Sequence, residues 1–283
     1  MRAVILDGIV LGLALGLLGV GMTLVYGLGG VINLAYGQIV VVAAIVASLL
    51  TDDNVPTALA AVVGVLAAVG VAVLLDLTLM QPVYRRQGEE RTLLGLLLTL
   101  GAAFVIGGLL NWRYPTDALY INISGEPISI LGVPMAMGSV WASAIALAVG
   151  AVLLFFFGVT TFGRGVRSVI QDETGAQLVG VNPAFIRTVI FALSGALAGM
   201  VAITQSMIGP VTVIVGFELT TFALIVAVVG GLGSVAGAFL AGVLLGIVNT
   251  VSADQIGQYY TSLILLGAAA LTILIRPRGL LGR

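Results

Sequence analysis

The chain has 283 residues, 60% of them hydrophobic and only 8% charged, with a formal net charge of −1 and a mean hydropathy of +1.23. A soluble domain needs far more polar side chains to cover its surface, so this composition describes a protein built into a lipid bilayer. There is no Cys and no His, and all eleven basic residues are Arg. That excludes disulfides, thiolate chemistry, Cys and His metal sites, and a phosphate-binding loop that depends on lysine.

A bilayer core of about 30 Å takes about 20 apolar residues per helix. Charge-free stretches run over 8–51, 54–75, 92–112, 127–163, 188–217, 219–253 and 255–275. Several are too long for one crossing. Divided at Gly and Pro clusters, they predict an all-α bundle of eight or nine transmembrane helices, since barrel strands would alternate in polarity over about 10 residues. Arg2 and Asp7 lead into the first run with no small-residue cleavage site, so the N-terminus is expected to remain attached.

That first run carries "GLGGVINLAYGQ" at 27–38. Glycines there weaken a helix and bare backbone groups that hydrocarbon does not tolerate unless protein or water satisfies them, so a break is predicted. The turn with Asp52 and Asp53 follows. Residues 56–80 then form a span with Asp76 near one interface, and Arg85, Arg86 and Arg91 mark a loop. Spans over 92–111 and 138–158 flank a polar segment, 112–137, with Trp112, Tyr114 and Asp117; Trp112 and Trp141 suit a membrane interface.

The loop 163–187 has internal order. Val166, Val169 and Ile170 fall at helical spacing, Asp172 can cap a second short helix ending near Gly180, and Asn182-Pro183 reads as N-cap and first residue of the next span. Two short helices bearing Arg164, Arg167, Asp172 and Glu173 suit docking into a partner's groove rather than onto anionic lipid, which would repel the acidic pair. Residues 219–253 are read as two shorter helices with a break near "GGLGSVAG", and Glu218, after Gly209-Pro210, is read as a helix-end charge like Asp76.

Nine of the eleven arginines fall in three clusters: Arg85, Arg86, Arg91; Arg164, Arg167, Arg187; Arg276, Arg278, Arg283. Cytoplasmic loops retain positive charge, which puts the clusters and the C-terminus inside and the N-terminus outside. "GLGGVINLAYG" and "VVGGLGSVAGA" also echo one another, Gly29, Gly30 and Asn33 falling on Gly230, Gly231 and Ser234. Paired interrupted helices in the two halves, 1–134 and 135–283, point to an inverted repeat with a solute path at the midplane. Asn33, Gln38 and Ser234 would face that path, and small residues at Gly8, Gly12 and Gly16 or Gly195 and Gly199 would serve helix packing.

Taken in order, "GMTLVYGLGGVINLAYGQI", "GRGVRSVIQDETGAQLVGV", "FALSGALAGM", "VVGGLGSVAGAFLAGVLLGIV" and "RPRGLLG" resemble the permease subunits of branched-chain amino acid ABC transporters, the Liv-type inner-membrane permeases. The resemblance covers nearly the whole chain and implies a single permease domain over 1–283 with a type II ABC importer fold. It implies a homologous second permease, two ABC ATPase subunits that hold the ATP and Mg, and an extracytoplasmic solute-binding protein. No cofactor, metal, catalytic residue or nucleic acid is implied for this chain. By the same resemblance Arg164, Arg167, Gln171, Asp172, Glu173 and Gly175 lie in the ATPase-coupling loop, and Tyr26, Gly29, Gly30, Asn33, Gly230, Gly231 and Ser234 near the translocation path. "QPVYRRQGEER" and Tyr36 depart from the family pattern and leave the solute open among branched-chain or other amino acids, urea or short amides, and simple sugars. A passive small-solute channel is the alternative. A membrane enzyme fits poorly, because acid-base or nucleophilic groups are scarce.

Overall fold

In the computed structural model, which describes residues 1–123, 125–130, 132–276 and 279–281, the first helix α1 (Arg2–Gly29) is the buried axis around which the others assemble. Arg278 and Arg283 of the third arginine cluster lie outside the described residues. The chain continues through α2 (Tyr36–Asp52) and α3 (Thr57–Leu75), the latter running on through a π-turn at Asp76–Met80 into α4 (Gln81–Tyr84), and then α5 (Gly88–Arg113). Beyond it come strands β1 (Ala118–Leu119), β2 (Ile128–Ile130) and β3 (Val133–Met135), the span α6 (Met137–Val159), and the short helices α7 (Thr161–Gln171) and α8 (Glu173–Leu178). Helix α9 (Pro183–Ser206), strand β4 (Val211–Thr212), α10 (Gly216–Gly230), α11 (Val235–Gln255) and α12 (Gln258–Ile275) complete it.

Seven helices are long and apolar enough to cross a membrane, and the shorter apolar α2 and α12 bring the embedded helices to nine among the described residues. Leucines and phenylalanines of α3, α5, α6 and α12 such as Leu66, Leu97, Phe155 and Leu274 point outward, as a lipid-facing surface requires. Close approach of α1 to α11 depends on facing small residues. A Cβ on Gly12 would stand 2.7 Å from Val243 Cα, and one on Gly246 only 2.2 Å from Gly12 Cα. Gly195 and Gly199 bring α9 against α3 in the same way, at Ala68, Ala72 and Val65. Gly12→Leu should therefore cost more than the roughly 1–3 kcal/mol of an ordinary overpacked site, because the neighbour is backbone. Thermal melting followed by fluorescence-detected size exclusion will show the loss.

These contacts also set direction. Gly8, Gly12 and Gly16 meet Ile247, Val243 and Phe239 in turn, so α1 and α11 are antiparallel. Following the chain, the two ends of the polypeptide emerge on opposite ends of the bundle. Arg85, Arg86, Arg91, Arg164, Arg167, Arg187 and Arg276 share one end, and Arg2, Arg113 and the β-strands share the other, where β1 pairs with β4 and Ser48 donates to Ala118 O. Helices α10 and α11 divide residues 219–253 at the foreseen break.

Two helices do not start at a membrane surface. Helix α2 begins after the chain has left α1 and turned back, and α10 begins after Val211–Val215 has descended from the outer strands. They run in opposite directions from a shared starting level, the inverted repeat of the fold. The repeat does not follow the echo between the two glycine motifs. Gly230, Gly231 and Ser234 form the reversal from α10 to α11, where Gly231 has φ +102° and Ser234 Oγ accepts from Gly237 N at 3.1 Å. A tight reversal needs glycine at positive φ wherever it lies, so similar motifs arose for different geometries.

Candidate functional site

The polar centre of the bundle is where the N-termini of α2 and α10 meet. Helix α1 ends at Gly29, and Gly30, at φ +63°, turns the chain out of the helix. Asn33 then closes an Asx turn, its Oδ1 accepting from Ala35 N at 3.0 Å, and α2 begins at Tyr36. Gly37 N donates to Thr220 Oγ1 of α10 at 2.9 Å, and that hydroxyl lies 3.3 Å from Leu34 O. The helices touch backbone to backbone, since a Cβ on Gly37 would lie 1.9 Å from Gly216 O. Gln38 is wedged between Gly216 and Gly107 of α5, and a Cβ on Gly216 would stand 2.6 Å from its amide.

Measured along α2, Gln38 lies about 21 Å from Asp52 at 1.5 Å per residue, so the junction sits near the middle of a 30 Å core. Burying polar atoms there without partners is costly. Yet Asn33 Nδ2 and Gln38 Oε1 are buried there and make no hydrogen bond with any described group, while the Tyr36 hydroxyl points away, against Gly21 of α1. A closed seam carrying unmet donors and acceptors is suited to admit a polar solute when it parts.

At the arginine-rich end a second cluster links four elements. Glu173, first residue of α8, lies 2.5 Å from Arg187 Nη2 of α9 and 3.9 Å from Arg91 Nη1 of α5. Both guanidinium groups sit over the ring of Tyr84 in α4, at 4.2 Å for Arg187 and 5.0 Å for Arg91. The Tyr84 ring in turn abuts the end of α1, where a Cβ on Gly29 would stand 2.9 Å from it. At the next residue of α9, Thr188 Oγ1 donates to Asp76 Oδ2 at 2.6 Å. Open pockets of about 380 Å³ and 240 Å³ flank Arg187, the first between α8 and the start of α9.

Residues 4–274 match the family described as the branched-chain amino acid transport system / permease component. This chain belongs to that family. It is 28% identical over 99% of its length to the high-affinity branched-chain amino acid transport system permease protein BraD of Pseudomonas aeruginosa, covering 95% of that protein. To the corresponding permease protein LivH of Salmonella typhimurium it is 24% identical over 98% of its length and 94% of LivH. A shorter match, 29% identical over 52% of this chain and 45% of the other, reaches the ribose import permease protein RbsC of Haemophilus influenzae. These are transport permeases and not enzymes, and the chain is a multi-pass membrane permease.

The predicted residues of this permease fall in three places. Asn33 and Gln38 lie at the central junction; Tyr26, Gly29 and Gly30 lie at the arginine-rich end of α1; Gly230, Gly231 and Ser234 build the α10–α11 reversal. The two glycine motifs do touch, a Cβ on Gly27 reaching within 3.4 Å of Gly233 Cα, but near that end and not at the midplane. Gly30 has open space around it. Its role is its left-handed backbone, so Gly30→Ala should cost about 1–2 kcal/mol of stability and leave the path unobstructed. Melting temperature and uptake measured on one preparation separate the two effects.

The loop 163–187 folds as its sequence predicts. Thr160 Oγ1 caps α7 through Gly163 N, Asp172 Oδ1 caps α8 through Thr174 N, and Asn182 Oδ1 caps α9 through Ala184 N. Arg164, Arg167, Gln171 and Asp172 are exposed, Arg167 donating to Phe157 O, while Gly175 packs under the Asp172 carboxylate. Beside them Leu178 and Val179 are 85% and 76% exposed, an apolar patch on a polar end. Asp76 stays at the arginine-rich end, beside Arg85 and Arg187, but it is a correction in exposure: at 1% exposed it is buried against Thr188 and not solvated among headgroups. Sequence reasoning also missed Gly37, Gly216, Thr220, Tyr84 and the pairing of Arg91 with Glu173. Only Gly37, inside the quoted glycine motif, carried a signal.

Proposed function

We propose that this chain is the membrane permease of an ATP-driven importer for a small polar solute, foremost a branched-chain amino acid, forming one membrane domain over its length. The observation carrying this reading is the head-to-head junction of α2 and α10 near mid-bilayer, with unpaired polar atoms, in a member of a transport permease family. The junction would part to pass the solute.

Energy would come from two ABC ATPase subunits holding ATP and Mg, docked on Arg164, Arg167, Gln171, Asp172, Glu173, Gly175 and the Leu178–Val179 patch. The apolar patch and the flanking pockets support that surface. Solute would arrive from an extracytoplasmic binding protein, with a homologous permease as the second half of the pore. The arginine-rich end would face the cytoplasm, by the bias of cytoplasmic loops toward positive charge. Leu178→Cys, in a chain without cysteine and expressed without the ATPase subunits, should then label with a membrane-impermeant maleimide only after the membrane is opened.

The decisive experiment is solute uptake into proteoliposomes holding the chain, its co-expressed partner subunits and binding protein. ATP-dependent accumulation of L-leucine is expected. Ribose or urea uptake in its place would reassign the solute, uptake that persists without the ATPase subunits would make the chain a passive channel, and no uptake of any of these would overturn the importer.

A further inference from the structure

Glu218 is the third residue of α10, two residues beyond the Gly216 that packs on Gln38, and it is exposed. Its depth is therefore close to that of the junction, near mid-bilayer. An ionised carboxylate there is expensive against hydrocarbon and is found facing water or a charge partner. The sequence placed it at a headgroup layer. The structure puts it deeper, since α10 starts only after strand β4 and a 3-10 turn at Val213–Val215.

Glu218 lines a pocket of about 250 Å³ together with Gln205 at the end of α9 and Asn249 of α11, under Leu11 and Leu15 of α1 and Phe222 of α10. Asn249 is 6% exposed, and its amide makes no hydrogen bond with any described group, leaving its polar end to the pocket. Neither Glu218 nor Gln205 has a side-chain partner among the described residues. The pocket also includes Gly209, Pro210 and Val211, so it opens toward the end of the bundle where α1 begins. One anion, two amides and an aliphatic-aromatic wall form a complement for a small molecule with an ammonium group, further hydrogen-bonding groups and an apolar side chain.

We infer that this pocket is a solute station on the outer half of the path, in which Glu218 receives the α-ammonium group of an amino acid, Asn249 and Gln205 bond its polar atoms, and Leu11, Leu15 and Phe222 enclose its side chain. The assignment rests on the importer reading and sharpens it: the permease itself, and not only a binding protein, selects for ammonium compounds.

The test uses the complete complex with saturating loaded binding protein. Glu218→Gln should lower the L-leucine uptake rate about tenfold or more, the loss of one charge-assisted contact, while Glu218→Asp restores most of it. A second probe does not depend on the carboxylate variant folding. Gln205→Cys places the sole thiol of this chain in the pocket, where a cationic thiosulfonate reagent added from outside should label it. L-leucine should slow the labelling at least about threefold, and 4-methylpentanoate, the same skeleton without the amine, should not. Wild-type uptake by Glu218→Gln, equal loss in Glu218→Asp, or equal protection by both compounds would each overturn the assignment. A wild-type complex that imports ribose or urea but no ammonium compound would overturn it while leaving the importer intact, and one that imports nothing would remove both.

Discussion

Gly37→Ala is expected to abolish uptake with a single added carbon. That carbon would lie 1.9 Å from Gly216 O, 2.6 Å from Thr220 Oγ1 and 2.7 Å from Thr220 N. Carbon and oxygen ordinarily approach to about 3.3 Å, so α2 and α10 must separate by over an ångström. Separation breaks the Gly37–Thr220 hydrogen bond and loosens Gln38 from between Gly107 and Gly216. Neither contact can yield cheaply, because the crowding atoms belong mainly to backbone, and a cost of about 3 kcal/mol or more follows. Gly101→Ala on α5, which has no neighbour within 4 Å, is the matched control and should transport normally. Wild-type uptake and melting temperature in Gly37→Ala would show that the helices do not meet there.

Arg187→Met should uncouple ATP hydrolysis from transport. Arg187 is nearly buried, and its removal leaves Glu173 without its nearest counter-charge and Tyr84 without the closer of its two cations. Glu173 is partly solvated, which limits the loss to about 1–3 kcal/mol. The position of the loss matters more than its size. Glu173 sits on the proposed docking helix, Tyr84 against the last turn of α1, and Arg187 joins them. The complex should assemble and hydrolyse at least half as much ATP, with uptake down about tenfold or more. Arg187→Lys should recover little, since an ammonium group does not stack flat on a ring. If uptake and hydrolysis fell in proportion, Arg187 would be a stabilising residue and not a coupling one.

Local chemistry accounts for what was readable in the sequence. The break after Gly29, the division of 219–253, and the caps at Asp172 and Asn182 each depend on residues a few positions apart, and each appeared where expected. The start of α10 was hidden, because 188–217 is a charge-free run in which the strand at Val211–Thr212 and the 3-10 turn at Val213–Val215 look like the start of a longer helix. Contacts between distant parts of the chain were hidden for a different reason. Thr188 is 112 residues from Asp76 and Thr220 is 183 from Gly37, and periodicity says nothing about such pairs. The echo of the two glycine motifs misled because glycine reports a backbone conformation, which a re-entrant break and a plain reversal share. The depth of Glu218 depended on the hidden start of α10 and was missed with it.

The meeting of α2 and α10 has an electrical consequence. Neither helix is capped by the side chain of its own N-cap residue, and apart from Gly37 N, which Thr220 Oγ1 accepts across the junction, their first-turn N–H groups are directed toward the same central region. Each terminus carries the equivalent of about half a positive charge, and in low dielectric the two add. A proton or sodium ion would climb that potential to pass, whereas the carboxylate of an amino acid would be drawn to it. The closed seam would thus oppose leakage of cations, with Glu218 in the first turn of α10 offsetting part of the effect.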